Sequence, residues 1–347
     1  MAWGLLSALA ARDDIEASAY ALSWRGRHDL ATALPAGIHA RSRPFPARLV
    51  RDLWERGASE PRIERWSGRV DVVHALNYVA PPSRAPVLVL IHDLSFVRFP
   101  ELCTPDTLRY PTLIEHALER GATVHTHSEY IAAEVRAEFK LPLERVVPIN
   151  PGIPTVGTGI AAAGARLARG PRYVLALGTI EPRKNLTRLV DAFGAVAAKD
   201  PDVRLVVAGP DGWDRGQLVA AVAESTARER IVRLGYVTDE QRLNLLAGAS
   251  VFAYPSVYEG FGFPPLEAMT AGVPVVAGRA GSLPEVLGDA ATLVDPSDTD
   301  ALAIALLDLL QDDGARNEHI ARGRAQAARY SWERMAAEVV DLYRALT

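Results

Sequence analysis

Two adjacent cationic side chains, Arg183 and Lys184, follow an apolar run at 172–178 and precede a helical pattern at 185–198. The apolar run predicts a buried parallel strand, and open α/β sheets bind their ligands at the carboxyl ends of such strands. A guanidinium clamps planar oxygens and an ammonium adds a point charge, so the pair suits a diphosphate. The alternative is an exposed basic turn. The rarity of lysine argues against it, because only three of the 38 basic residues are lysines.

Two carboxylates, Glu259 and Glu267, lie eight residues apart, the first in a loop and the second inside the predicted helix that follows. In that arrangement they can converge on one ligand. Gly260 and Gly262 let the backbone approach that ligand closely, and the helix start offers free N–H groups. A carboxylate is the natural acceptor for the vicinal hydroxyls of a sugar.

Five segments in this order carry a family resemblance: 178–186, 207–210, 234–237, 259–268 and 272–276. Together they resemble the GT-B glycosyltransferases of family 4, whose E-x7-E pattern is matched by Glu259 and Glu267. The resemblance spans about residues 70 to 345. It implies an α/β fold with two doubly wound, Rossmann-like domains that face a cleft.

The resemblance implies transfer of a sugar from a nucleotide diphospho-sugar to an acceptor, with retention of anomeric configuration. Arg183 and Lys184 would hold the diphosphate, and Glu267 would accept from the ribose hydroxyls. Val237 would line the base pocket through its backbone. Glu259 would accept hydrogen bonds from hydroxyls of the transferred sugar. The remaining donor-binding residues are Gly178, Gly260, Phe261, Gly262 and Phe263.

His92 directly follows the predicted strand 86–91, and the resemblance places it near the transferred sugar and the diphosphate. We therefore expect four catalytic residues: His92, Arg183, Lys184 and Glu259. His125 and His127 have ligand-like spacing, but no third ligand lies nearby in the sequence, which disfavours a metal site.

Three further polar residues have structural interpretations that we favour. Ser128 either caps the next helix or touches substrate, and capping is the preferred interpretation. Asp298 and Asp300 form a D-x-D sequence like that of metal-dependent transferases. Their position predicts instead that they cap a helix and place negative charge at its N-terminus. The Arg183-Lys184 pair supplies the charge that a divalent ion supplies elsewhere, so we expect neither a metal nor a cofactor.

Apolar runs bounded by turn residues alternate with helical patterns along the chain, which predicts parallel sheets covered by helices. The predicted strands are 15–23, 69–75, 86–91, 122–127, 145–149, 172–178, 203–208, 230–234, 250–254, 273–277 and 291–294. The predicted helices are 105–120, 129–139, 185–198, 238–248, 300–311 and 331–345.

A composition shift marks the domain boundary, because Pro151 opens a Gly-, Ala- and Thr-rich stretch. We predict an acceptor-side domain at 1–150, a linker at 151–170, a nucleotide-sugar domain at 171–330 and a final helix at 331–347. Relatives imply that this helix crosses back to the first domain.

The start of the sequence does not fit a doubly wound domain, which opens with a central strand and a Gly-rich turn. Here a helical pattern, Trp3 to Ala11, comes first. A missing central strand would expose two unpaired edges. We therefore expect the natural protein to have further residues upstream, and activity without them is in doubt. A well-packed sheet would refute this expectation.

The composition sets limits on class and location. The 347 residues are 49% hydrophobic and 23% charged, with 38 basic and 42 acidic groups, which excludes disordered, collagen-like and nucleic-acid-tail classes. The single cysteine, Cys103, indicates a reducing cytoplasmic setting. No apolar run reaches the roughly 18 residues needed to span a bilayer.

The stretch from Arg41 to Arg69 holds eight arginines against four acids, with Phe45, Trp54 and Trp66 between them. The favoured interpretation is a solvated helix face with the aromatic side chains packed inward. The alternative is a peripheral contact with anionic lipid at the inner face of the cell membrane.

The leading functional hypothesis is a retaining hexosyltransferase that uses GDP-mannose and acts on a glycan or lipid-linked acceptor. Two alternatives stay open: a non-catalytic scaffold descended from a transferase, and a sugar-nucleotide epimerase on the same fold. A nicotinamide site is disfavoured because Pro265 or Leu266 stands where a dinucleotide fingerprint needs glycine.

Overall fold

The computed structural model describes residues 1–21, 29–41, 47–154 and 157–347. Its contacts divide the chain into unit 1, Met1–Gly152 with Tyr330–Thr347, and unit 2, Ile153–Arg329. Both units hold parallel sheets covered by helices, so the predicted α/β class with two domains is confirmed.

Every predicted strand is present with one or both ends shifted by one or more residues, and one short strand, β2, is added. The strands are β1 (Ser18–Ala19), β2 (His39–Ala40), β3 (Val73–Ala75), β4 (Val87–Ile91), β5 (Thr123–Thr126), β6 (Val146–Pro148), β7 (Tyr173–Leu177), β8 (Arg204–Ala208), β9 (Ile231–Gly235), β10 (Val251–Tyr254), β11 (Val275–Gly278) and β12 (Thr292–Val294).

The described helices include all the predicted ones and several more. They are α1 (Ala2–Ala10), α2 (Asp29–Ala33), α3 (Ala47–Glu55), α4 (Glu64–Ser67), α5 (Ser95–Arg98), α6 (Tyr110–Glu119), α7 (Glu129–Phe139), α8 (Ala161–Leu167), α9 (Leu186–Lys199), α10 (Arg215–Glu224), α11 (Asp239–Gly248), α12 (Phe263–Thr270), α13 (Leu283–Leu287), α14 (Thr299–Gln311), α15 (Asp313–Ala327) and α16 (Trp332–Leu346).

The sheet of unit 1 is in two parts. Strands β3, β4, β5 and β6 pair in that order and in parallel, while β1 and β2 pair with each other. Within the described ranges, no strand lies against the free edge of β3. Helices α1 and α16 pack together through Leu5, Leu9, Met335 and Val339, all buried.

Unit 2 has one continuous parallel sheet in the order β12-β11-β10-β7-β8-β9. Its central strands are buried on both faces, as their unbroken apolar sequences predict. The chain leaves β7 toward β8 and β9 and then returns to β10 on the other side of β7. The strand order therefore reverses between β7 and β10, which is where doubly wound sheets bind ligands.

The predicted linker, 151–170, is too long. Residues 161–167 form α8, which packs against α11 inside unit 2. The Asn244 side chain accepts from the Ile160 backbone N–H at 2.7 Å just before this helix. Alanine has the highest helix propensity, so the Ala-rich sequence that looked featureless forms a helix once α11 covers it.

Candidate functional site

The loop after β7 carries the two predicted cations. Pro182–Lys184 form a single 3₁₀ turn, and Asn185 adopts the left-handed conformation (φ 55°) at the start of α9. The Asn185 side-chain amide donates to the carbonyls of Pro255 (3.1 Å) and Pro296 (2.7 Å). These bonds tie the loop to the segments that follow β10 and β12, so Arg183 and Lys184 are held at the carboxyl edge of the sheet.

The loop after β10 brings Glu259 onto both cations. Lys184 Nζ donates to Glu259 Oε1 at 2.6 Å, and Arg183 Nη1 donates to Oε2 at 3.0 Å. The Val257 backbone N–H also donates to the Arg183 carbonyl at 2.9 Å. Since β7 and β10 flank the reversal of strand order, this cluster occupies the topological switch point of unit 2.

The charges of this cluster balance in a buried setting. Lys184 is 9% exposed and Glu259 is 6% exposed, and Arg183 also pairs with Glu181 at 2.7 Å. Burial alone would raise the pKa of Glu259, but the Lys184 and Arg183 charges outweigh burial and leave that pKa below its usual value. Glu259 is therefore ionised at neutral pH. Lys184 Nζ also donates to the Tyr254 hydroxyl at 2.6 Å.

The backbone around Glu259 is fixed by a glycine-dependent contact. The N–H and the hydroxyl of Ser282 both donate to the Glu259 carbonyl at 3.0 Å. Gly281 has φ 57°, and a Cβ there would lie 2.6 Å from the Glu259 backbone N and O atoms. No other residue fits at this position. The loop after β11 therefore holds the backbone of Glu259 in place.

The Gly-rich turn leads directly into a helix N-terminus. Gly260 and Phe261 follow Glu259, and Gly262 (φ 110°) is the residue before α12, which begins at Phe263. The first N–H groups of a helix have no partner inside the helix. The structure thus places the predicted backbone donors next to Glu259 in the chain.

Glu267 lies on α12, one helix turn further from this start, and pairs with Arg242 on α11. Burial raises the pKa of Glu267 above its usual value, although the Arg242 charge opposes the rise. Val237 lies between β9 and α11 and is half-buried. The two residues predicted to bind the nucleoside therefore flank the same helix, α11.

His92 belongs to unit 1 and follows β4, as predicted. Its Nδ1 lies 3.1 Å from His127 Nε2, and its ring meets the Tyr78 ring edge-on at 5.3 Å between centroids. Burial lowers the pKa of His92, although the Asp93 charge opposes the change. The imidazole is therefore neutral at physiological pH, with a hydrogen bond that fixes its orientation.

His125 and His127 contact other imidazoles and a backbone carbonyl. His125 Nδ1 lies 3.3 Å from His74 Nε2, and its Nε2 lies 3.3 Å from the Ile149 carbonyl. His74 Nδ1 lies 2.8 Å from the Tyr343 hydroxyl. Among the described residues, no group of three or more His, Cys, Asp or Glu side chains is arranged to hold a metal ion.

The two capping predictions are confirmed. Ser128 Oγ accepts from the Ile131 backbone N–H at 3.3 Å at the start of α7. Asp298 Oδ1 accepts from the Ala301 backbone N–H at 2.8 Å at the start of α14, and Asp300 lies in the first turn. The two aspartates of the D-x-D sequence therefore stabilise the N-terminus of α14.

Two family models divide the chain between them. Residues 163–326 match the model described as glycosyl transferases group 1, and residues 1–156 match the model described as glycosyltransferase family 4. The O-antigen chain mannosyltransferase B of Escherichia coli is 34% identical over 307 residues, which cover 82% of this chain and 78% of that protein. The chain belongs to the family 4 glycosyltransferases.

Solved structures agree on the fold of this glycosyltransferase. WaaG, a glycosyltransferase involved in lipopolysaccharide biosynthesis, superimposes with a TM-score of 0.71 at 18% identity, covering 98% of this chain and 94% of WaaG. HepE of Anabaena, solved with UDP and glucose, gives a TM-score of 0.73 at 18% identity, covering 99% and 95%. At these identities the likeness shows the GT-B fold.

Sequence reasoning missed three side chains of the glycosyltransferase site. Tyr254 is the last residue of a predicted strand, Ser282 lies in a Gly-Ser turn after another, and Arg242 lies on a predicted helix. The only sequence signal for these side chains was their position at or after the ends of predicted strands, since all three lie at or near the carboxyl edge of the unit 2 sheet. Their partners are distant in sequence, so the contacts themselves had no sequence signature.

The arginine-rich stretch of the glycosyltransferase has its tryptophans inside unit 1. Trp54 and Trp66 are both buried, and Trp54 Nε1 donates to the Pro61 carbonyl at 3.2 Å. Phe45 lies outside the described residues. The inward-packing interpretation therefore holds for these two side chains. In the described part of the chain, no helix is long and apolar enough to cross a membrane.

Proposed function

We propose that this glycosyltransferase transfers mannose from GDP-mannose to a glycan or lipid-linked acceptor, with retention and without a metal ion. The observation that carries the donor assignment is the cluster of Arg183, Lys184 and Glu259 at the switch point of unit 2. Mannose is favoured because the O-antigen chain mannosyltransferase B of Escherichia coli and the serotype-specific mannosyltransferase WbdA are both similar in sequence.

Arg183 and Lys184 bind the diphosphate. Both cations are already oriented by Glu259 before any ligand arrives, so little ordering cost remains for binding. As the glycosidic bond breaks, negative charge grows on the diphosphate, and fixed cations in a buried site stabilise that charge more strongly than water does.

Glu259 binds hydroxyls of the transferred sugar. An ionised carboxylate offers about four lone-pair positions. Lys184 and Arg183 each donate to one oxygen of Glu259, and the Tyr254 hydroxyl also interacts with this carboxylate, so a sugar hydroxyl takes a remaining lone pair. The N–H groups of 261–263 supply complementary donors at the start of α12. This combination suits a ligand that carries both hydroxyls and anionic oxygens.

Glu267 binds the ribose, and Val237 lines the base pocket through its backbone. Glu259 lies in the loop before α12 and Glu267 lies in the second turn of that helix, so the two carboxylates can contact the sugar and the ribose on either side of a diphosphate. Arg242 keeps the carboxylate oriented. Gly178 completes this set, because its φ of 147° lets the chain turn without a side chain beside Lys184.

The chemical step proceeds on one face of the sugar. The bond between the anomeric carbon and the diphosphate oxygen breaks while the acceptor oxygen bonds to the same carbon from the same face. The acceptor proton passes to the departing diphosphate oxygen, which acts as the base. His92, neutral and held by His127, hydrogen-bonds a hydroxyl of the transferred sugar.

The enzyme works in the cytoplasm with peripheral contact to the membrane through α3. Leu49 (54% exposed) and Leu53 (36% exposed) lie one helix turn apart, with Arg48 and Arg56 exposed beside them. Exposed leucines flanked by arginines are the pattern that binds anionic lipid surfaces. A lipid-linked acceptor would then lie within reach of unit 1.

A panel of nucleotide sugars, measured by thermal stabilisation and then by transfer, tests this proposal. GDP-mannose should stabilise the enzyme most, and Lys184→Ala and Glu267→Ala should remove the effect, whereas the exposed Lys199→Ala should not. If neither site variant weakened the stabilisation, the donor site would be elsewhere.

The products separate the alternatives. A retained anomeric configuration in the transferred mannose, read by NMR, supports the transferase mechanism. A scaffold would bind nucleotide and release no sugar. An epimerase would convert the sugar while it stayed attached to the nucleotide.

A further inference from the structure

The hydroxyl of Tyr254 contacts the ion pair of the candidate donor site from the side of the sheet. Lys184 Nζ donates to this hydroxyl at 2.6 Å and to Glu259 Oε1 at the same distance. Lys184 Nζ also lies 4.8 Å from the centre of the Tyr254 ring. All three side chains are buried. The ammonium is therefore enclosed between a hydroxyl and a carboxylate.

Tyr254 is carried by a strand, whereas its two partners lie in loops. Strand β10 pairs with β7 on one side and β11 on the other, and Tyr254 lies opposite Ala277 of β11. The ring of Phe252, two residues earlier on the same face of the strand, stacks with the Tyr254 ring at 6.1 Å between centroids. Lys184 and Glu259 belong to the loops after β7 and β10. The hydroxyl therefore has the most rigid support of the three groups.

The Tyr254 hydroxyl keeps its proton at neutral pH. Burial and the Glu259 charge hold the pKa of this hydroxyl well above its usual value, although the Arg183 charge opposes the rise. A protonated hydroxyl accepts from Lys184 through a lone pair and still has its O–H to donate. The ionised Glu259 carboxylate interacts with the hydroxyl and is an acceptor for this O–H. The three groups thus form a closed triangle of hydrogen bonds.

This triangle determines how many donors of Lys184 are left for a ligand. An ammonium has three N–H donors. In the part of the chain that the structure describes, Lys184 Nζ has two partners, Tyr254 and Glu259, so one donor remains. Without the hydroxyl, only the loop carboxylate would orient the ammonium. A flexible lysine side chain would then have more conformations to lose when the ligand binds.

We infer that Tyr254 is a positioning residue for Lys184: its hydroxyl fixes the direction of the ammonium and holds the remaining N–H donor ready for the diphosphate. This inference rests on the proposed diphosphate site of Arg183 and Lys184. Tyr254 contacts no reacting atom in this role and acts through Lys184.

A double-mutant cycle on GDP binding tests the inference, because Tyr254→Phe keeps the ring and removes only the hydroxyl. Isothermal titration compares the parent, Tyr254→Phe, Lys184→Ala and the double variant. Tyr254→Phe should weaken GDP binding about tenfold in the parent and less than about twofold in the Lys184→Ala background, since the hydroxyl acts only through Lys184. A purely structural role would give the same loss in both backgrounds and would overturn the inference.

The matched control is Tyr173→Phe, which also removes a buried hydroxyl from the unit 2 sheet. Tyr173 begins β7, at the end of that strand opposite the Lys184 loop, and its hydroxyl donates to the Leu245 carbonyl at 2.6 Å. Both Phe variants should melt at a lower temperature than the parent, because each loses one buried hydrogen bond. Tyr173→Phe should nevertheless bind GDP like the parent. An equal loss of GDP affinity in Tyr173→Phe and Tyr254→Phe would also overturn the inference.

The Lys184→Ala variant separates this inference from the proposed function. If Lys184→Ala binds GDP as tightly as the parent, the diphosphate site is wrong and the inference falls with it. If Lys184→Ala weakens GDP binding and Tyr254→Phe does not, the site stands and only the inference is overturned. Lys184→Gln, which keeps a donor for Glu259 without the charge, takes the place of Lys184→Ala in the cycle if that variant does not fold.

Discussion

Lys184 and Glu259 form a buried ion pair, Nζ to Oε1 at 2.6 Å, although 75 residues separate them in the sequence. They come from the loops after β7 and β10, the two strands between which the strand order reverses. A buried ion pair adds little net stability over an apolar pair, whereas removal of one partner is costly. Its location at the edge where doubly wound sheets bind their ligands supports the proposed role in donor binding.

Lys184→Ala should lower both activity and stability. Transition-state charge on the diphosphate loses one fixed cation, so kcat/KM should fall at least about 100-fold. Glu259 keeps only Arg183, so the free energy of unfolding should fall by about 3 kcal/mol. Initial rates with GDP-mannose and urea unfolding measure the two effects.

The matched control for this change is Lys199→Ala, whose side chain is exposed at the end of α9. It should leave both quantities unchanged within about 0.5 kcal/mol. A Lys184→Ala enzyme with the rate of the parent would show that Lys184 does not contact the diphosphate.

Local sequence patterns predicted the elements, and tertiary contacts account for what they missed. Apolar runs such as Val87–Ile91 predicted every strand but β2, whose two exposed residues, His39 and Ala40, form no apolar run. Helix α15 was missed because it is polar nearly all round, and such helices have no periodic apolar stripe. The strands and helices that position the site could therefore be predicted from the sequence.

Within the site, the candidate residues could be predicted from the sequence, but the contacts between them could not. Arg183, Lys184 and Glu259 were singled out by type and position, but their direct contact depends on which strands are neighbours. The pairing of Glu267 with Arg242 joins two helices whose packing no local pattern specifies. Sequence gives candidates, whereas sheet order decides which of them meet.

Glu267→Gln should weaken discrimination at the ribose. If Glu267 accepts from the ribose hydroxyls, GDP should bind the parent enzyme at least about tenfold more tightly than its 2′,3′-dideoxy analogue, since the half-buried carboxylate loses its donors. In Glu267→Gln the ratio should fall, because a neutral amide oxygen accepts from a hydroxyl more weakly than an ionised carboxylate does. Isothermal titration with both nucleotides measures it.

Arg242→Lys is the control for that experiment, because it keeps a cation beside the Glu267 carboxylate. It should preserve the preference for the hydroxylated ribose even if overall affinity falls. Equal binding of GDP and its analogue by the parent enzyme would contradict the assignment of Glu267.

Activity should persist in EDTA. The proposed mechanism uses Arg183 and Lys184 for the charge on the diphosphate, and Asp298 is engaged with the start of α14. Transfer rates with chelator and with added Mg²⁺ should agree. Asp298→Asn, which keeps the cap and removes the carboxylate charge, should also keep the parent rate. Activity lost in EDTA and restored by Mg²⁺ or Mn²⁺ would contradict this mechanism.

Unit 1 should lose stability as the pH falls below about 6.5. Burial lowers the pKa of His125 to about 4, and it lowers the pKa of His74 and His127 well below the usual value. Between pH 6.5 and 4 the unfolded chain binds a proton at His125, whereas the folded chain leaves this imidazole neutral. The free energy of unfolding therefore decreases as the pH is lowered, and this decrease ends near pH 4. His125 alone should cost about 2 kcal/mol between pH 6.5 and pH 5.

Tryptophan fluorescence during urea unfolding reports this effect, because Trp213 is the only one of the six tryptophans that belongs to unit 2. His125→Gln keeps a donor for the Ile149 carbonyl and does not titrate, so its pH dependence should be shallower. The exposed His39→Gln is the control and should follow the parent. Identical slopes for all three proteins would show that His125 is not responsible.

Replacing both Leu49 and Leu53 by serine should weaken binding to anionic vesicles at least tenfold. Each exposed leucine that enters the interface contributes roughly 1 to 2 kcal/mol, and the arginines beside them add an attraction that salt screens. Sedimentation with vesicles of anionic phospholipid measures the affinity, and neutral vesicles should bind neither protein. Leu143→Ser, at a more exposed leucine outside α3, is the control and should bind like the parent. Equal binding by the double variant, or binding that is insensitive to salt, would show that α3 does not face the membrane.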